Sequence, residues 1–151
     1  MILVSIDPSI NSIGWAFWRI ADFKSNLVAS GTLRTGAGDE ADKCREITLE
    51  LRKAIFGNKY AKVGYVVIER PYLDKKKHQV NVYNILKLSM SIGAIIGCFQ
   101  DAKPELVHGH VTKAVALAIA KQHDIHDPGE HEADAVSLGY HFIQKNRGSL
   151  C

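Results

Sequence analysis

Three acidic residues stand where an apolar element ends or begins. Asp7 closes the run Ile-Leu-Val-Ser-Ile at 2–6, Glu69 closes Val-Gly-Tyr-Val-Val-Ile at 63–68, and Asp134 is followed by Ala135, Val136 and Leu138. In an α/β sheet the carboxyl ends of strands open into the crevice where ligands bind. If the strands carrying Asp7 and Glu69 are neighbours, the two carboxylates sit side by side there. Carboxylates brought close repel, and each then favours its protonated form. A hard divalent cation relieves the repulsion by taking oxygen ligands from both. Two such cations, ~4 Å apart, clamp the attacking and leaving oxygens of phosphoryl transfer. Taken singly, each acid has an ordinary alternative. Asp7-Pro8 is good turn chemistry, and Glu69 beside Arg70 suits one half of a surface ion pair. The set of three is what points to metal-assisted phosphoryl transfer.

A fourth ligand would come from the helix that carries Asp134. Each residue of a helix turns by ~100°, so His131 at i, i+3 and Glu130 at i, i+4 share the face of Asp134. Glu132 lies nearly opposite. Glu130 has a structural use, because it stands three residues after Asp127 as in a capping box. His131 is therefore the better candidate, although an ordinary histidine near a helix start has the same spacing.

The elements that must hold these residues can be read from periodicity. The run 2–6 is a buried strand stopped by Asp7-Pro8. Residues 12–20 alternate, with Ile13, Trp15 and Phe17 on one face, and 27–35 make a third strand, giving an antiparallel meander. The period then becomes helical over 40–56, through Cys44, Ile47, Leu51 and Ile55, and Gly57 suits a C-terminal cap. Residues 63–69 read as a parallel strand buried on both faces. A long helix is expected over 79–101, where Gly93, Ala94 and Gly97 permit close approach of another helix. A strand over 104–111 follows, then a helix capped by Thr112 and running to Gln122. Asp127 as N-cap and Pro128 as first residue open a last helix that reaches Lys145 or Asn146. The order β-β-β-α-β-α-β-α-α predicts an α/β fold: a mixed sheet with helices on its faces.

The 151 residues suit a single domain spanning 1–151, without repeat or linker. Hydrophobic residues are 46% and charged residues 23%, which excludes wholesale disorder. The net charge of +3 permits a nucleic-acid partner without requiring one. No apolar run reaches the ~18 residues of a membrane span, and Asp7 interrupts the N-terminal run before it makes a signal peptide. Cys44, Cys98 and Cys151 are odd in number and far apart, so a reducing compartment is expected rather than a disulfide framework. His108, His110, His123 and His126 have no accompanying cysteine and do not make a zinc site.

Three segments carry a specific resemblance. Ile6-Asp7-Pro8-Ser9 with Asn11-Ser12-Ile13-Gly14-Trp15-Ala16, then Val67-Ile68-Glu69-Arg70-Pro71-Tyr72, then His131-Glu132-Ala133-Asp134-Ala135 resemble the catalytic segments of the RuvC family of Holliday-junction resolvases. The same segments are similar to those of the RuvC-type domain of RNA-guided CRISPR nucleases, but the length matches a resolvase subunit. The resemblance implies an RNase H-like fold with a mixed five-stranded sheet, the three antiparallel strands over 2–6, 12–20 and 27–35 followed by parallel strands over 63–69 and 104–111. It implies a metal-dependent endonuclease that cuts four-way junctions by paired symmetric nicks, leaving 5′-phosphate and 3′-hydroxyl ends. Asp7, Glu69, His131 and Asp134 then match the ligands of two Mg²⁺ ions per site, with Mn²⁺ able to substitute. His131 matches a position that is Asp in some members. Lys113, in Val111-Thr112-Lys113-Ala114-Val115, matches a lysine near the scissile phosphate, while Thr112 stands where many relatives carry another lysine. The family's glycine-rich stretch after that lysine is missing. A homodimer through the helix bearing Leu86, Met90, Gly93 and Gly97 is implied, as are a cytoplasmic setting in a bacterium or phage-infected host, no membrane and no small-molecule cofactor. The compact length leans toward a phage-encoded member.

Tyr72 falls where the family has an aromatic at the junction centre. Lys75, Lys76 and Lys77 follow it in a basic loop suited to phosphates, and Arg70 suits either phosphate or Glu69. Three rivals remain: the same nuclease acting on forks, flaps or bubbles, a junction-binding module that does not cut, and a fragment of an actin-like nucleotide-binding protein. The last would need a second domain that 151 residues do not supply.

Overall fold

The computed structural model describes residues 1–22, 24–57, 63–71, 81–99, 101–109 and 112–150. The elements are β1 (Ile2–Asp7), β2 (Ser12–Ala21), β3 (Lys24–Arg34), α1 (Glu40–Gly57), β4 (Val63–Glu69), α2 (Val82–Cys98), β5 (Lys103–Val107), α3 (Lys113–Gln122) and α4 (Glu130–Lys145). The five strands form one sheet in the order β3-β2-β1-β4-β5. β1 is antiparallel to β2, and β2 to β3. β4 runs parallel to both β1 and β5. The expected mixed α/β sheet and its element order are therefore present.

Apolar side chains alternate along the strands and feed two cores. Val4, Ile6, Ile13, Phe17, Val66 and Ile68 join the core that includes Ile47, Leu51 and Ile95, from α1 and α2. Leu3, Ala16, Trp18 and Val67 join the opposite core with α3 and α4. On β2, Ile13 and Phe17 are buried in the first core, and Ala16, Trp18 and Ile20 are buried on the other face, where α4 covers it. Ser5 is a polar residue of β1 facing α4, and it is fully satisfied: its hydroxyl donates to the carbonyl of Ala135 (2.7 Å) and accepts from Trp18 Nε1 (3.3 Å). A Cβ on Gly139 would lie 2.2 Å from that indole nitrogen, so only glycine lets α4 sit this close.

Several boundaries differ from the sequence expectations. β5 stops at Val107 rather than 111. α2 begins at Val82 rather than 79, because Asn81 accepts from the amides of Tyr83 and Asn84 and caps it. Gly93 and Gly97 would have nothing within 4 Å of an added Cβ among the described residues. Thr112 does occupy the N-cap of α3, but its side chain makes no capping bond. The start of α4 is a correction. Asp127 has φ 55°, in the left-handed region, and an N-cap needs extended backbone. Gly129 takes that place, helix begins at Glu130, and the expected Asp127–Glu130 capping box does not form.

Candidate active site

The parallel register of β1 and β4 pairs Ile6 with Ile68, which sets Asp7 and Glu69 next to each other at the carboxyl edge of the sheet. The neighbour of Asp7 on β2 is Gly14. A Cβ at Gly14 would fall 1.7 Å from the carbonyl oxygen of His131. The missing side chain lets the first turn of α4 rest on β2, which brings His131 and Asp134 over the strand ends. His131 Nδ1 and Asp7 Oδ2 are 2.5 Å apart, and both side chains are partly buried. On the other flank, Gly109 follows β5, and a Cβ there would come 1.9 Å from Glu69 Oε1. Two glycines thus allow backbone to close around the acids from both sides.

The acids feel one another. Burial pushes the Glu69 carboxyl up to about 7, with repulsion and a hydrogen bond from Asp7 and repulsion from Asp134 adding to it. Burial also raises Asp134, again with repulsion from Asp7 and Glu130. The hydrogen bond to Asp7, opposed by burial, raises the His131 imidazole. A cavity of about 90 Å³ lies against this group, lined by Glu69, Gly109, Asp134, Ser137 and Leu138. A larger groove of about 550 Å³ lies beside it between β5 and the outer turns of α4, and none of the four chemistry-bearing residues lines it.

The remaining sequence candidates fall as follows. Lys113 Nζ lies 2.7 Å from Glu130 Oε2, a pair with both side chains about 60% exposed, and so weakly held. Lys113 is also among the charges that oppose the rise of Asp134. Glu132 points elsewhere and accepts from Ser30 Oγ on β3 (2.6 Å). Arg70 is exposed, its amide donates to the carbonyl of Val107, and no Arg70–Glu69 ion pair is present among the described residues. Tyr72, Lys75, Lys76 and Lys77 lie outside the described residues. His123 packs edge-on against Trp18 at 4.9 Å and belongs to the core of α3 and α4. Two residues escaped the sequence reading. Gly109, between His108 and His110, gave no signal without the fold. Ser137 stands at i+3 from Asp134, and that spacing alone marked it as sharing the same helical face.

Among the described residues, no three His, Cys, Asp or Glu side chains converge on one point closely enough to hold an ion as they stand. The Asp7 carboxylate is engaged by His131 instead. The donor set nevertheless fits a divalent cation. Three carboxylates and an imidazole lie within electrostatic reach, and the raised acids are those that a cation would discharge. Ligation requires Asp7 to turn from His131 and Glu69 to lose its proton.

No family model matches the chain. It is 32% identical to the crossover junction endodeoxyribonuclease RuvC of Rickettsia typhi, over 93% of this chain and 95% of that one. The RuvC of Rickettsia prowazekii is 31% identical with the same coverage. Among solved structures, T. thermophilus RuvC in complex with a Holliday junction substrate superposes with a TM-score of 0.72 at 17% identity, over 99% of this chain and 97% of that one. Fowlpox virus resolvase with substrate Holliday junction DNA gives 0.63 at 14% identity, over 96% and 98%. At those identities the structural likeness speaks for the fold.

Proposed function

The chain belongs to the RuvC family, and we propose that it is a divalent-metal-dependent endonuclease that cuts four-way DNA junctions as a homodimer. The observation that carries the reading is the meeting of Asp7, Glu69 and Asp134, three acids from distant parts of the chain, at the carboxyl edge of the sheet. Residues 1–151 act as one nuclease domain in this reading.

Asp7, Glu69, Asp134 and His131 would hold the metal. When bound, divalent metal supplies Lewis acidity at the scissile phosphate and lowers the pKa of an attacking water. The protein's part is to present these donors in a fixed arrangement. In the metal-free site His131 Nδ1 pairs with the Asp7 carboxylate, and to serve as a donor the imidazole would give up that partner and any proton it carries. An imidazole is a softer donor than a carboxylate, so Mn²⁺ supports activity at least as well as Mg²⁺. Lys113 exchanges its exposed partner Glu130 for the phosphate beside the cut. Arg70, Tyr72 and the lysines at 75–77 follow β4 directly in the chain, where they meet the junction arms. Cleavage leaves 5′-phosphate and 3′-hydroxyl ends.

α2 supports the dimer. Val82 and Leu86 are 74% and 55% exposed, and Ile96, Gly93 and Gly97 are exposed as well. A two-fold pair joined there sets one site on each of two equivalent strands.

The test is to incubate a mobile four-way junction with the purified protein in Mg²⁺, Mn²⁺ or chelator, beside Asp7→Asn. Paired symmetric nicks that need metal and vanish in the variant support the reading. Full cleavage by Asp7→Asn overturns it, and cutting confined to forks or flaps moves the activity to another branched DNA.

A further inference from the structure

The Ser137 hydroxyl is buried, 1% exposed, and has no hydrogen-bond partner among the described residues. An unsatisfied buried hydroxyl is destabilising, and alanine would serve better in the middle of a helix. Ser5 and Ser91, the other buried polar residues among those described, both have partners. Ser137 lines the cavity of about 90 Å³ whose remaining walls are Glu69, Asp134, Gly109 and Leu138. Ser137 thus stands at the wall of the same small pocket as the two acids.

We propose that Ser137 is a positioning residue of the metal site: its hydroxyl hydrogen-bonds the carboxylates of Glu69 and Asp134 when these turn to ligate, and holds them as ligands. The argument rests on reading those acids as a divalent-metal site. A hydroxyl is both donor and acceptor. It accepts from a carboxyl that retains its proton, and it donates to the same carboxyl once ionised and ligating. Hydrogen bonds of this kind orient ligating carboxylates, and their loss costs about 10–100-fold in metal affinity. Gly109 completes the arrangement, since any side chain there would occupy the place of Glu69 Oε1. No proton is transferred and no bond is made; the serine fixes direction.

Calorimetric titration of the metal-free protein with Mn²⁺, beside thermal melts in chelator, tests this on wild type, Ser137→Ala and Asp7→Asn. In Ser137→Ala the melting temperature in chelator is unchanged or higher, because an unsatisfied hydroxyl is gone, while Mn²⁺ affinity falls at least tenfold. A packing residue gives a different pattern: its loss lowers the melting temperature. Mn²⁺ affinity equal to wild type in Ser137→Ala overturns the proposal, as does lower affinity accompanied by a lower melting temperature. Asp7→Asn separates the two layers of the argument. If it abolishes Mn²⁺ binding while Ser137→Ala leaves it intact, only the serine assignment fails. If Asp7→Asn binds like wild type, the metal reading fails and the serine assignment with it.

Discussion

At the residue scale, the acids are held at a cost that pH and metal can reveal. Glu69 releases its proton near 7 in the folded protein, against an ordinary value of 4.5. The fold binds this proton more tightly than the unfolded chain does, so the stability it confers is complete below about 4.5 and is lost as pH rises through about 7. Asp134 and His131 are raised as well and act in the same direction. In chelator the melting temperature should therefore fall between pH 5 and pH 8, and saturating Mn²⁺ should flatten that slope; a metal-free melt that rises with pH contradicts the arrangement. Gly109→Ala tests the other flank. The atom its Cβ would meet is the tip of a flexible side chain, so the fold should lose less than about 1.5 kcal/mol. Glu69 must nevertheless move, and junction cleavage should fall by at least about 10². Circular-dichroism melts and single-turnover cleavage measure the two effects separately.

At the element scale, α4 does most of the positioning. Its first turn lies on β2 because Gly14 lacks a side chain, and its middle approaches β1 because Gly139 does. Gly14→Ala meets backbone rather than a mobile side chain. It should cost about 1–3 kcal/mol or more by overpacking and lower the melting temperature by roughly 5 °C, with loss of cleavage as His131 and Asp134 are displaced. A variant that melts like wild type would show that α4 is seated elsewhere. The same helix shows what a sequence reveals about an element. Its apolar period and the i, i+3 relation of His131 to Asp134 were readable, because they are local. Its start was not. Asp127-Pro128-Gly129 has the composition of a cap, but a left-handed Asp127 passes the N-cap on to Gly129. Likewise β1 and β4 were marked by apolar runs ended by acids, yet the shape of Glu69's surroundings came from Gly109, forty residues away, and no local pattern contains that. The burial of β2 is similar: alternation marks the face of Ile13, Trp15 and Phe17, and only α4 accounts for the burial of Ala16 and Trp18 on the other.

At the scale of the whole molecule, helices on both faces of the sheet leave the acid edge of β1 and β4 and the outer surface of α2 as separate exposures. The first takes DNA and the second a second copy in the proposed assembly. Leu86→Glu places a charge on the exposed apolar surface of α2. It should leave the melting temperature within a few degrees but weaken self-association by about 10² or more, as read by sedimentation. Symmetric paired nicks should give way to slow single nicks. A variant that remains as dimeric as wild type moves the interface off α2. Binding to a junction should also weaken steeply with salt, because phosphate contacts release counterions.

The seating of α4 has an optical consequence. Trp18 is fully buried, its indole N–H reaches Ser5, and the ring of His123 stands edge-on 4.9 Å away. Ser5 is in turn tied to the backbone of α4 at Ala135, one residue beyond Asp134. The emission of Trp18 is therefore a native reporter of the helix that carries the acid, blue-shifted while the helix is seated and red-shifted when it lifts. Burial keeps the neighbouring imidazole neutral to a lower pH than usual, so quenching by its charged form is postponed to acid. A fluorescence titration with divalent metal can thus follow the settling of α4 without a label and without DNA.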